Sequence, residues 1–294
     1  MTNVLCIGSV LWDVIGRTAN HVGMGSDVPG RITQIPGGVA FNIAMTLHRF
    51  GLTPALITSI GRDKEGEALI AECNEMGLIT DYIYRSDDLA TDRYMAIEGA
   101  GGLVAAIADA HSLETAGEKI LRPVLDGTLS ATGKPFGGLI ALDGNLTEAL
   151  LARIASDPAF AAADLRVAPA SPGKAQRLAP FLSTPSATLY VNLEEAGILC
   201  QDTFETAHDA ARALVKRGAL RALVTNGGAM AADATSEAVL EAHPPEVLVT
   251  RVTGAGDTFM AAHMAYEYRG LDRQSALGDA LTAAARYVAG DTPQ

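Results

Sequence analysis

The chain has 294 residues, enough for one large α/β domain or two ordinary ones. With 48% hydrophobic and only 19% charged residues it cannot be a disordered chain. A net charge of −12 argues against a nucleic-acid surface, although local backbone N–H groups could still bind a nucleotide. Cys6, Cys73 and Cys200 lie far apart, with no Cys/His pair at metal-ligand spacing, so neither a structural zinc nor a disulfide framework is implied. No apolar run nears the roughly 20 residues of a membrane span, and no basic leader precedes the first strand, so the expected location is the cytoplasm.

In chain order, residues 4–8 read as a buried strand and 40–50 as a helix stopped by Gly51. Residues 55–60 read as a second strand. Asp63 then caps a helix with Leu69, Cys73 and Met76 on one face and Gly77 as its stop. Further strands are expected at 138–142, 166–168, 187–191 and 222–225, with helical stretches between most of them. An apolar run at 247–249 looks strand-like and leads through a glycine turn into a helical pattern that reaches Tyr268. Strands alternating with helices imply βαβ units and a mainly parallel sheet covered on both faces.

Two regions break that alternation. Residues 13–36 have no helical period, and 92–109 read as a hairpin whose turn is Gly99-Ala100-Gly101-Gly102. Both are expected to form a small sheet, a lid over the carboxyl edge of the large one.

Five motifs could carry chemistry, and each has a plainer reading. Gly254-Ala255-Gly256-Asp257 places glycines, which let a backbone approach an anion closely, at a helix N-terminus. Asp257 there could accept a proton from an alcohol, or simply cap the helix. Gly37-Gly38 leads into a helix whose first turn carries Asn42, an amide able to read hydroxyls or merely to start the helix. Asp13 follows the first strand, where open α/β sheets bind ligands, and suits a vicinal diol or is a solvated loop acid. Asn192 and Glu195 could hold a hydrated magnesium ion or be a helix start. Thr225-Asn226-Gly227-Gly228 could touch nucleotide phosphate or be a simple turn. The first strand is followed by Gly8-Ser9-Val10 rather than GxGxxG, which speaks against a dinucleotide enzyme. Residues 127–135 look faintly like a phosphate loop, but the glycine spacing is wrong and Pro135 replaces the needed hydroxyl.

In this order the motifs resemble the ribokinase-like, or PfkB-type, carbohydrate and nucleoside kinases. The resemblance implies a three-layer α/β/α fold with a mainly parallel central sheet. It implies one kinase domain over residues 1–294, with lid strands inserted at about 13–36 and 92–109. It implies ATP as donor, magnesium as bridge, and transfer of the γ-phosphoryl group to a primary sugar hydroxyl. Asp257 would be the base, with the N–H groups of Gly254, Ala255 and Gly256 on the transferring oxygens. Asp13, Asn42 and the Gly37-Gly38 pair would hold the sugar, and Tyr94, Ile107 and Asp109 of the lid would meet a base. Asn192 and Glu195 would place magnesium through waters, and Asn192, Thr225, Gly227, Gly228 and Thr253 would line the nucleotide.

Within the family, Gly37-Gly38-Val39-Ala40-Phe41-Asn42, the lead-in Arg251-Val252-Thr253-Gly254 and the lid stretch Ala106-Ile107-Ala108-Asp109 resemble the pseudouridine-kinase branch. A free-sugar kinase for ribose or fructose, an adenosine or inosine kinase, and a catalytically silent sugar-binding regulator are the alternatives. Arg251 stands where many members have an acid near a monovalent-cation site, so potassium activation is not expected to carry over. Open lid edges need covering, which pairing across a homodimer would supply. No nucleic-acid or membrane partner is expected.

Overall fold

The computed structural model describes residues 4–129 and 134–291. The phosphate-loop look-alike at 127–135 lies partly outside them.

The chain begins with β1 (Val4–Ile7), β2 (Leu11–Arg17), β3 (Arg31–Gly37) and α1 (Val39–Arg49), then β4 (Ala55–Ile57), β5 (Ser59–Gly61) and α2 (Lys64–Glu75). Next come β6 (Tyr84–Ser86), β7 (Arg93–Gly99), β8 (Gly102–Asp109), α3 (His111–Ala116) and α4 (Arg122–Leu125). The second half holds β9 (Leu139–Asp143), α5 (Glu148–Ser156), β10 (Asp164–Ala168), a 3-10 helix (Pro172–Ser183), β11 (Ala187–Asn192), α6 (Leu193–Cys200) and α7 (Ala207–Lys216). It closes with β12 (Arg221–Thr225), β13 (Ala231–Thr235), β14 (Val239–Ala242), α8 (Ala255–Tyr268) and α9 (Arg273–Val288).

Among the described residues eight strands form the main sheet, in the order β14-β13-β12-β11-β10-β9-β1-β4. The pairs from β12 to β4 are parallel, and β13 and β14 add antiparallel edges. Alternation along β1 shows how one strand serves two cores. Leu5 and Ile7 point to a layer built from α3, α5, α6, α7 and the 3-10 helix. Val4 and Cys6 point to the opposite layer, where α1, α2, α8 and α9 bring Phe41, Leu47, Leu69, Phe259 and Leu277. The fold is α/β, with helices on both faces of a mostly parallel sheet, as the resemblance implies.

The two regions that lack an α/β rhythm form a separate four-stranded sheet, ordered β3-β2-β7-β8. It stands at the carboxyl edge, because β2 follows β1 after three residues and β3 runs straight into α1. The hairpin register slips between Ile97 and Glu98, an irregularity that alternation alone does not reveal.

Three strand expectations need correction. The stretch 55–60 is two strands, because the chain leaves the main sheet after Ile57, and β5 pairs with β6 in a sheet of its own. The run 247–249 is not a strand but irregular chain, with Leu248 82% exposed. An apolar triplet becomes a strand only where a neighbour offers a ladder, and β14 already ends the sheet on that side. The sequence reading also missed β13, an alanine-rich strand poor in β-branched residues, and β14, which has only four residues.

A buried ionic cluster ties α8 to the sheet. Arg166 bonds Asp164, Tyr190 and Glu267, while Arg221 bonds Asp233 and Glu267. Arg273 of α9 also reaches Asp233, and Tyr190 meets His263, which is fully buried.

Candidate active site

The carboxyl ends of the parallel strands converge on one edge, and the chemistry-bearing residues gather there. At the α1 side, Gly37 and Gly38 are glycines for steric reasons. A Cβ on Gly37 would lie 2.1 Å from Asp13 Oδ2, and one on Gly38, whose φ is +99°, would lie 2.4 Å from the Ser9 carbonyl oxygen. The pair therefore lets the β3-to-α1 turn pass directly over Ser9 and Asp13. Asp13 is half-buried, and burial pushes its carboxyl up to about 6.

Across from it, α8 starts at Gly254, which has φ +85° and no side-chain cap. The Ala255 N–H closes a turn onto the Val252 carbonyl at 3.1 Å, so it is not a free donor in this structure. Among the described residues, no acceptor meets the N–H groups of Gly256 and Asp257. The Gly254 N–H is likewise unmet, so the free donors are Gly254, Gly256 and Asp257: Ala255 drops out of the expected Gly254, Ala255 and Gly256, and Asp257 joins.

Asp257 sits in the first turn of α8, and Asn42 Nδ2 donates to its Oδ2 at 2.9 Å. The Asn42 amide is thus engaged with the carboxylate rather than held free for a sugar. Burial raises Asp257 to about 7, the Asn42 bond opposes the rise, and the nearby charges of Asp143 and Glu195 add to it.

Asp143 was not singled out from the sequence. It is wholly buried at the end of β9 and accepts from the Ser9 N–H (2.7 Å), Ser9 Oγ (2.5 Å) and the Asn145 N–H (2.8 Å). Asn145 in turn receives the Lys174 ammonium, which burial, and then Arg177, hold below the usual lysine range. The available signal was position: Asp143-Gly144-Asn145 follows a strand as Asp13 and Asn192 do.

Asn192 and Glu195 make a reciprocal capping box on α6. Asn192 Oδ1 accepts from the Glu195 N–H at 2.9 Å, and Glu195 Oε2 accepts from the Asn192 N–H at 2.8 Å. Burial, with Glu194 beside it, raises Glu195 to about 7 against the pull of the Asn192 N–H. The box occupies two of the pair's oxygens and leaves Glu195 Oε1. Among the described residues no group of three or more His, Cys, Asp or Glu could hold a metal. These donors fit a magnesium ion that keeps its waters, not one caged by protein.

Asn192 and Thr225 are register partners on β11 and β12, and with Gly227 they line a cavity of about 790 Å³ walled by Ile198 and Phe204. Gly228 and Thr253 are not among its lining residues. Thr253 instead gives its carbonyl to the Tyr287 hydroxyl.

The small sheet separates residues expected to act together. Tyr94 pairs with Asp13 and Ala108, so it shares the Asp13 face. Ile107 pairs with Met95, and Asp109 with Arg93, which places both on the opposite face. Ile107 is 70% exposed there. These three side chains do not form one wall in this structure.

An acid that ionises near neutrality, beside unpartnered N–H groups at a helix start, can take a hydroxyl proton while the N–H groups meet an anion. A family model described as "pfkB family carbohydrate kinase" matches residues 1–290. The chain belongs to this family. Pseudouridine kinase of Escherichia coli is 28% identical to this PfkB protein over 268 residues, covering 88% of it and 81% of that enzyme. Guanosine-inosine kinase of Exiguobacterium acetylicum is 25% identical and covers 98% and 95%. Among solved structures, a carbohydrate kinase from Agrobacterium tumefaciens superposes with a TM-score of 0.81 at 27% identity, covering 97% and 90%. The PfkB chain is a sugar or nucleoside kinase, a phosphotransferase with an alcohol as acceptor. No helix among the described residues is long and apolar enough to cross a membrane.

Proposed function

We propose that this PfkB kinase transfers the γ-phosphoryl group of ATP to the 5′-hydroxyl of a nucleoside, pseudouridine before others. The observation that carries the reaction is Asp257: a carboxyl held near neutrality, bonded to Asn42, at the start of α8. Asp257 accepts the proton of the attacking hydroxyl, and the N–H groups of Gly254, Gly256 and Asp257 face the transferring oxygens. Preorganised donors of this kind are worth roughly 3 kcal/mol each. Asp13, with Gly37 and Gly38 leaving room beside it, holds the ribose diol. Lys174 brings positive charge to an edge otherwise lined by Asp143, Asp257 and Glu195.

ATP occupies the cavity beside Asn192, Thr225 and Gly227, with Ile198 and Phe204 as apolar walls for its ring. Glu195 and Asn192 would hold a magnesium ion through water, and it would supply charge neutralisation for the phosphates. The small sheet serves as a lid on one continuous kinase domain, and Tyr94 offers the stacking face for a base. Arg251 takes the place of a monovalent cation. The three cysteines, all buried and unbridged, suit a reducing cytoplasm.

The pseudouridine assignment is supported by the 28% identity to an enzyme of that name and by the Gly37-to-Asn42 stretch. The guanosine-inosine kinase likeness, which spans nearly both chains, favours a purine nucleoside as the second reading. An ATP-consumption panel with pseudouridine, uridine, inosine, guanosine, ribose and fructose, with and without potassium, decides. Pseudouridine should lead uridine in kcat/KM, and potassium should change turnover by no more than about twofold. A lead for inosine or guanosine would move the assignment, and a lead for ribose would remove the nucleoside altogether.

A further inference from the structure

The turn that begins α8 is not held by the segment before it. Residues 243–249 are irregular chain, and Val247, Leu248 and Val249 stand exposed. The hold comes from the far end of the chain. The N–H groups of Thr250 and Arg251 both reach the Val288 carbonyl, at 2.9 and 3.3 Å, and Thr250 Oγ1 reaches it at 3.0 Å. Arg251 Nε donates to the Tyr287 carbonyl at 2.8 Å, and the centre of its guanidinium lies 3.8 Å from the centroid of the Tyr287 ring. The Tyr287 hydroxyl donates back to the Thr253 carbonyl at 2.9 Å. It lies so close to the turn that a Cβ on Gly254 would come within 2.5 Å of it.

These contacts form one clasp. The last carbonyls of α9 carry partial negative charge, which a guanidinium meets well, and the Tyr287 carbonyl takes Arg251 alongside the Gly290 N–H. The same guanidinium stacks on the ring, so the tyrosine is fixed at its carbonyl by a hydrogen bond and at its face by a cation. A ring so fixed presents its hydroxyl to the residue just before the helix start. N–H groups that must stabilise charge in a transition state help only if they are already in place.

We propose that Arg251 and Tyr287 are positioning residues that fix the anion-facing turn at 254–257 from the C-terminal end of α9. The inference rests on the phosphoryl-transfer reading of that turn. It makes Gly254 a glycine for two reasons, its positive φ and the approach of the Tyr287 hydroxyl.

The test uses Tyr287→Phe, which keeps the ring and deletes the hydroxyl, with Arg251→Ala and Arg251→Lys. Hydrogen exchange of the 252–258 amides is measured alongside steady-state kinetics. In Tyr287→Phe and Arg251→Ala, exchange in that segment should quicken by about tenfold while the main sheet stays protected. Because small misplacement of catalytic groups is costly, kcat should fall about tenfold or more, with KM for ATP within about twofold. Arg251→Lys should fall between Arg251→Ala and wild type, and millimolar guanidinium chloride should restore part of the Arg251→Ala turnover. Unchanged exchange in both deletions overturns the clasp, and so does faster exchange with full kcat, which would leave a mere tether. A wild-type protein that turns over no acceptor would instead sink the kinase reading, and the exchange comparison would still decide whether the clasp orders the turn.

Discussion

Asp257 concentrates the residue-scale argument, because its environment sets both its chemistry and its cost. Its carboxyl stands at about 7 in the fold against 3.8 for the unperturbed group. A base must be ionised, so kcat/KM should rise as pH passes through about 7 and then level off. Asn42 pulls that value down, so Asn42→Ala should move the limb to higher pH. Asp257→Asn should abolish the limb and cut turnover at least a hundredfold, while ATP binding is nearly kept. Stability gives an independent check. The folded value is raised, so the native state favours the neutral acid: this contribution is present below about pH 4 and lost as pH rises through 7. Asp257→Asn should therefore melt higher than wild type at pH 8, by a few degrees, and lose that advantage only as pH falls to about 4. Equal melting temperatures at pH 8 would mean the carboxyl is not strained by burial. The role of Asp257 was legible in the sequence because a glycine turn before a helix is a local signal. Its partner Asn42 lies 215 residues away, and only packing of α1 on α8 brings them together.

At the scale of elements, α8 must present Asp257 at one end while its other end is anchored in the ionic cluster. Glu267 receives both Arg166 and Arg221, at 2.5 and 2.6 Å. Losing one member of a buried ionic group leaves charges without compensation, so Glu267→Ala should cost about 3 kcal/mol in urea unfolding. A cost below about 0.5 kcal/mol would show that the arginines find other partners. His263 on the same helix is held neutral by burial, at about 4 against 6.5. Its depressed value means stability is intact above about pH 6.5 and falls as pH drops towards 4. None of this cluster was legible in the sequence. Arg166, Tyr190, Arg221 and Glu267 come from three strands and a helix, and their spacing along the chain carries no periodic sign. Helices were read better. The 40–50 stretch, stopped by Gly51, and the Asp63-capped helix appear as α1 and α2, with Asp63 accepting from the Gly66 N–H. Caps and stops act within a few residues, and such signals survive translation into structure.

At the scale of the whole molecule, the small sheet has open edges at β3 and β8, and one of its faces carries Ile32, Met95, Ile97 and Ile107, all exposed. We propose that a second copy covers these strands. Ile107→Glu places a charge on that face without touching the main sheet, and should shift the protein from dimer to monomer in sedimentation analysis. A wild-type monomer would remove the dimer. An Ile107→Glu variant that stays dimeric would place the contact elsewhere.

What the sequence by itself determined is the set of local devices: glycines where a backbone must turn or approach, an acid at a helix start, caps, and the alternation of strands and helices that makes a mostly parallel sheet. These follow from sterics and hydrogen bonding within a few residues. Tertiary structure decided the rest. It set Asn42 on Asp257, put Asp143 and Lys174 at the same edge, separated Tyr94 from Ile107 by one register step, and left 247–249 without a neighbour. Burial and electrostatic coupling depend on which distant segments meet, and that depends on the packing of two helical layers on one sheet rather than on any stretch of sequence alone.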